Sequence, residues 1–337
     1  MLYHPSILAQ LTGSALTALL LLYACWYGVR ILARWDLRSG SELQLALERR
    51  TYFISVTMIY AMGYQLLSLF LFIYTADQLA GVLVGAMCAA GALNANGWGY
   101  PTLILKLANF ILGGLWLVLN HTDNRGYDYP LIRIKYAVLV CITPLVILEL
   151  VLQTLYFANI APNVITSCCG TLFSADAEGV TSGIVALPNL SVEILFFGTA
   201  VVMLLLGIRV VLSGKGVIPF AASSAVLFVA AVMALMGFAS LYFYELPTHH
   251  CPFCLLQKHV HFVGYPLYLC FLVGVVCGLG GTVILPFRRR ESLAALVPGI
   301  LRGLAATALF CNAVGVSLVL LGVVFSKLSL YGDRKSV

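Results

Sequence analysis

VIPFAASSAVLFVAAVMALMGFASLYFY, residues 217–244, contains no Asp, Glu, Lys or Arg. About 20 consecutive apolar residues suffice to cross the hydrocarbon core of a bilayer as an α-helix, and this run exceeds that length. It also lacks the polar face that a helix on a soluble protein carries. Working outward, comparable apolar runs occupy 7–33, 52–75, 101–120, 131–158, 190–212, 255–285 and 299–327, making eight expected spans. Composition agrees: 61% of residues are hydrophobic and 9% charged, against about 25% charged in soluble domains. Mean hydropathy is +1.00. The expected fold is all-α, a polytopic transmembrane helix bundle. It reads as a single integral membrane domain over 1–337. An N-terminal helical half, 1–158, and a C-terminal half, 190–337, flank an external loop, 159–189. Membrane lipid is the first expected partner.

A ninth apolar stretch, 79–93, is short and rich in Gly and Ala, and it ends in Asn94-Ala95-Asn96-Gly97. A re-entrant or interfacial hairpin suits it better than a span. The first span lacks the basic start of a cleaved signal peptide, and its apolar core is too long for one.

Lys and Arg set the orientation, because cytoplasmic loops carry them in excess. Arg34, Arg38, Arg49 and Arg50 mark one set of loops. Arg125, Arg133 and Lys135 follow, then Arg209 and Lys215, then Arg288, Arg289, Arg290 and Arg302. Those loops are expected in the cytoplasm and both termini outside, across a bacterial inner membrane. Only Arg334 and Lys335 in the tail run against the pattern. The net charge of +6 then belongs to cytoplasmic loops and not to a nucleic-acid surface.

This topology sorts the ten cysteines. The outer loops carry Cys88, the adjacent pair Cys168-Cys169, and Cys251 with Cys254. Cys25, Cys141, Cys270, Cys277 and Cys311 fall within spans, where cysteine is a small packing residue. The outer side of a bacterial membrane is oxidising, so disulfides persist there. Cys251-Pro252-Phe253-Cys254 is expected at the start of a long helix, whose N–H groups and dipole favour a thiolate. Pro252 suits a first turn, where its missing N–H is not needed. Cys168-Cys169 paired with each other close only a strained ring; as thiols they chelate a soft metal, and the remaining alternative is a bridge from either to a distant cysteine, in the third outer loop or at Cys88. His249, His250, His259 and His261 cluster with the Cys-x-x-Cys pair. His249, His250, Cys251 and Cys254 together form a candidate Cu or Zn ligand set. His259 is expected too deep in the helix to share it. There is no c-type haem motif, since Leu255 follows Cys254 where His is required.

The run Cys251-x-x-Cys254-x-x-Gln257-Lys258, with Tyr265-Pro266-Leu267 after it, resembles the DsbB/BdbC family of membrane thiol oxidoreductases. That family carries Cys-x-x-Cys at the outer end of a helix, then Gln or Glu and Arg, and often Tyr-Pro. The likeness covers the end of one span, the short outer loop and the start of the next. It implies that Cys251 and Cys254 are a redox pair passing electrons to a bound quinone. Lys258 takes the basic position near that quinone, with Gln257 beside it and Tyr265 close by. Departures are visible. Lys258 lacks the planar fork of Arg, the family has half as many helices, and its second cysteine pair follows the motif instead of preceding it. Ser167-Cys168-Cys169-Gly170 resembles the vicinal pair of MerT-type mercuric-ion transporters, although there the pair lies inside a span.

Ionisable residues within spans are functional candidates by default. Lys106 and Glu149 are expected to pair, either to hold two helices together or to take part in proton movement. Glu193 is expected near an outer edge. Residues 94–101 read as turn formers lining a site near the outer surface or carrying an interfacial aromatic anchor. Residues 121–130 read as a cytoplasmic connector, and 36–50 as a short surface helix. No phosphate loop, Ser-His-Asp arrangement or nucleic-acid motif is present.

Three functions follow as expectations. The first is a thiol–disulfide oxidoreductase passing electrons between thiols of a periplasmic protein and a membrane quinone, with Cys251, Cys254, Cys168 and Cys169 as its reactive residues. The second is binding, transport or delivery of a soft metal. The third is a structural subunit anchoring a periplasmic electron carrier, its outer cysteines statically bridged.

Overall fold

The computed structural model describes residues 4–36, 41–161, 183 and 187–328. Eight helices in it are long and apolar enough to cross a membrane, and the described residues contain no strand. They are α1 (Pro5–Arg34), α2 (Glu42–Ala80), α3 (Gly99–Asp123), α4 (Ile132–Ala158), α5 (Asn189–Ser213), α6 (Val217–Tyr244), α7 (Gly264–Ile284) and α8 (Val297–Phe325). In hydrocarbon no water is present to satisfy backbone N–H and C=O groups, so a segment in lipid must satisfy them within itself. The chain is therefore an all-α, multi-pass membrane protein in contact with lipid.

Two boundaries differ from expectation. Residues 42–50 are not a separate surface helix but the first turns of α2, with Leu47 and Gln44 buried. The seventh span does not begin at residue 255. Its α-helix starts at Gly264, after two short 3-10 turns at Pro252–Leu256 and Lys258–Val260. His261 and Phe262 both hold left-handed backbone, φ 54° and 56°, which ends any right-handed helix reaching them. A Cβ on Gly264 would lie 2.9 Å from the Leu255 carbonyl carbon, so only glycine lets the chain fold back there. The stretch 79–93 does not span. It turns at 81–88 and closes with a short helix, Ala89–Leu93.

The chain divides into two compact units. The first comprises 1–76, 93–164 and 283–300. In it α1 and α3 both pack on α4, around Tyr27, Met58, Met62, Trp116, Tyr136 and Ile142. A Cβ on Gly13 would fall 2.2 Å from the Tyr64 hydroxyl, so glycine there admits the ring of the facing helix. Small residues at such crossings are the usual means of close helix approach in lipid.

Within this unit lies a polar core. Lys106 Nζ is 2.6 Å from Glu149 Oε1 and 3.1 Å from Ser68 Oγ. Asn109 Nδ2 donates to Glu149 Oε2 at 2.6 Å, and Gln65 Nε2 donates to the same oxygen. Gln10 and Gln153 extend the network, joined by a 3.1 Å bond, with Ser14 beside Gln153. The Lys106–Glu149 pairing expected from sequence is thus present. A second buried pair was not expected: Lys135 Nζ lies 2.6 Å from Asp123 Oδ2. Both residues are fully buried, Asp123 in the last turn of α3 and Lys135 in the first turn of α4, not in an open connector. Asp123 Oδ1 also accepts the Leu131 N–H at 2.8 Å, which closes the loop between the two helices.

The second unit comprises 77–92, 165–282 and 301–337. There α5 packs on α6, and the Phe196 ring meets Phe238 and Phe271 edge-on at 6.2 and 6.1 Å. At Gly274 and Gly278 of α7, an added Cβ would meet Asn312 and Ser224 at 2.4 and 2.3 Å. A π turn, Leu235–Ala239, interrupts α6 near its end. Glu245 then takes left-handed backbone and stops the helix.

Candidate functional site

Three cysteines converge in the second unit. Cys88 precedes the short helix Ala89–Leu93, Cys251 caps the 3-10 turn Pro252–Leu256, and Cys254 lies inside that turn. Cys88 Sγ is 3.6 Å from Cys251 Sγ, and all three sulfur atoms lie within 4.8 Å of one another. Their residues are 0%, 1% and 4% exposed. Met236, from the π turn, and Ala90 pack against them, with Tyr244 and Phe253 at the edge.

Local chemistry explains how the thiols are held. Pro at the first position of the turn brings a preset φ and no unused N–H. A 3-10 turn repeats every three residues, so Cys251 and Cys254 fall on one side of it. Two tyrosines fasten its backbone. Tyr244 donates its hydroxyl to the Cys251 carbonyl at 2.9 Å, and the Tyr268 hydroxyl donates to the Pro252 carbonyl. A π turn leaves a carbonyl outside the regular helical ladder. Here the Met236 carbonyl lies 2.9 Å from His250 Nδ1. A carbonyl only accepts, so Nδ1 carries the proton.

The thiols therefore do not stand at the mouth of a long helix, as the spacing implied. α7 begins ten residues after Cys254, so the pair does not lie in its first turn. His259 is not deep in a helix either. It is exposed, its ring 6.3 Å from that of Tyr244. The His249 ring meets the Tyr244 ring edge-on at 4.5 Å. Burial holds His249 below the usual imidazole range, opposed by the neighbouring Cys88 and reinforced by His259 and His250. Among the described residues, the group with metal-ligand spacing is Cys88, Cys251 and Cys254. His249 and His250 are not in that group: the His249 ring meets Tyr244, and His250 Nδ1 meets the Met236 carbonyl.

Of the residues expected near a quinone, Lys258 is exposed at the start of the second 3-10 turn, and Tyr265 is half-buried in the first turn of α7. Gln257 is committed elsewhere: its Nε2 donates to Asp77 Oδ1 and to the Met87 carbonyl, each at 3.0 Å. Cys168 and Cys169 lie outside the described residues. Sequence reasoning put Cys88 in an outer loop but not in the reactive set. It missed Asp77, Tyr244 and Tyr268. The only available signal was a lone cysteine in a Gly/Ala-rich loop outside the spans.

Comparison with protein-family models, with curated proteins and with solved structures finds no match. Three soft sulfur ligands within 4.8 Å of one another and shielded from water suit two kinds of chemistry: exchange of disulfide bonds among them, or capture of a thiophilic ion.

Proposed function

We propose that the chain is a membrane thiol–disulfide oxidoreductase whose exchange centre is Cys88, Cys251 and Cys254. The observation that carries this reading is the third thiol. A Cys-x-x-Cys pair alone suits a static bridge as well as a reactive one. Cys88 Sγ at 3.6 Å from Cys251 Sγ supplies the nucleophile that exchange requires. With a Cys251–Cys254 disulfide present, the Cys88 thiolate attacks Cys251 Sγ. The Cys88–Cys251 bond forms, the Cys251–Cys254 bond breaks, and Cys254 leaves as a thiolate. One disulfide replaces another, and no electrons are gained or lost.

Net oxidation of the trio needs an acceptor of two electrons and two protons, and a membrane quinone is the class the Cys251–Lys258 motif implies. Lys258 and Tyr265 are the residues offered to it. Gln257, bonded to Asp77 and Met87, is left out of that role. The burial of all three sulfurs keeps a partner protein's thiols away from the trio. An outer pair is required to meet them, and Cys168-Cys169 is the one the sequence supplies. This reading places the trio on the oxidising side of a bacterial inner membrane, with both termini on that side.

Replacing Cys254 by Ser tests the proposal in membranes holding the full chain. Oxidation of added dithiol is expected to be abolished, and an unchanged rate would remove the proposal. A second reading is favoured by the same trithiolate arrangement, which matches what a soft ion such as Cu(I) demands. Its check is metal analysis of the reduced, purified protein. One ion per chain, lost in Cys88→Ala, would favour metal delivery over exchange.

A further inference from the structure

Gln257 and Asp77 form a clamp around Cys88. Both hydrogens of the Gln257 amide are used, one on the Met87 carbonyl and one on Asp77 Oδ1. The same Asp77 oxygen accepts the Ala89 N–H at 3.2 Å. The main chain is therefore held immediately before and immediately after Cys88, by two side chains that also hold each other. On its other side Gln257 is tied to the reactive turn, because its own N–H donates to the Cys254 carbonyl at 3.1 Å. A single residue thus links the loop carrying Cys88 to the turn carrying Cys251 and Cys254, which are far apart in the chain. Two N–H donors, from Gln257 and Ala89, thus meet on one Asp77 carboxyl oxygen.

We infer that Gln257 and Asp77 are positioning residues that set the Cys88–Cys251 sulfur distance and so the rate of exchange between the two. The inference rests on the exchange reading given above. It also gives the third residue after Cys254 a task unrelated to quinone: holding the third thiol in register. Attack on a disulfide requires the sulfur atoms to be aligned and in contact, and a misplacement of about 1 Å can cost on the order of a hundredfold in rate. Thiols are weak donors and acceptors and do little to orient one another. The geometry of the trio therefore depends on backbone fastenings such as this one.

The experiment uses the full chain in detergent micelles, oxidised with diamide as the probe and read by peptide mass mapping. In a Cys254→Ala background, closure of Cys88–Cys251 is timed. In a Cys88→Ala background, closure of Cys251–Cys254 is timed as an internal control for folding of the turn. Gln257→Leu and Asp77→Ala are each expected to slow the first closure by about tenfold or more and to leave the second within about twofold. Combining them is expected to slow it by less than the product of the two single effects, since the two share the Gln257–Asp77 bond. Parental rates in both variants would overturn the clamp and leave the exchange reading standing. Equal slowing of both closures would reduce the two residues to general supports of the fold, and the positioning role would be wrong. Failure of Cys88 to bridge Cys251 in the otherwise unaltered Cys254→Ala protein would remove the exchange reading, and the clamp with it.

Discussion

The polar core of the first unit and the thiol trio of the second are both buried and both built from groups foreign to lipid, yet they are secured in opposite ways. Glu149 is saturated by Lys106, Asn109 and Gln65, and the Lys135–Asp123 pair is anchored by Ser55 and the Leu131 N–H. These are charge-assisted bonds, which hold side chains strongly and resist rearrangement. The trio is held differently. Its own atoms form weak bonds, and neighbouring tyrosines and the Asp77–Gln257 clamp fasten its backbone. A saturated ion pair suits a fixed scaffold. Weakly bonded sulfurs on a fastened backbone can change partners without dismantling the fold. The contrast favours structure for the first region and chemistry for the second.

The sharpest way to break that comparison is to remove one half of an ion pair. Glu149→Leu leaves Lys106 buried without its counter-charge. A loss of about 3–5 kcal/mol is expected, read by denaturation of the purified protein in mixed micelles. The double change Lys106→Met with Glu149→Leu is expected to recover most of that loss, because no charge is then stranded. A double variant as unstable as the single would mean that the pair does more than hold helices. Asp123→Asn comes next. It removes the counter-charge of Lys135, with an expected loss of about 3 kcal/mol, smaller because the amide keeps an isosteric oxygen for Lys135 or the Leu131 N–H. Tyr244→Phe should cost less, about 1–2 kcal/mol, for a buried carbonyl left without its donor. It should also loosen the Cys251 turn, seen as faster alkylation of Cys251 by a small maleimide. The smallest stability effect is expected for Cys88→Ala, about 1 kcal/mol for a buried small side chain. The same change is expected to abolish Cys88-dependent exchange completely. A large stability loss without any loss of thiol oxidation would reverse the assignment of the two regions.

Much of the fold is legible without coordinates, for physical reasons. A span in lipid must be long, apolar and internally hydrogen-bonded, so eight runs of that kind appear as eight helices. Lys106 and Glu149 are readable as partners because a lone charge within a span is too costly to persist. Asp123 and Lys135 are not readable, since each lies at the end of a span, where a charged residue ordinarily meets water. The true start of α7 is also hidden. Leu255, Leu256, Val260, Phe262 and Val263 continue the apolar run, and no composition rule marks His261 and Phe262 as left-handed.

The class of protein is written in the chain, because long apolar runs make membrane helices. Which groups meet is fixed by the fold. Cys88 is 163 residues from Cys251 in the chain, and nothing local specifies their contact. That contact depends on the Ala89 and Met87 backbone being caught by Asp77 and Gln257, on the π turn bringing Met236 against the sulfurs, and on two tyrosines fixing the turn. Local propensity acts over a few residues. A third thiol brought from a distant loop is a product of packing.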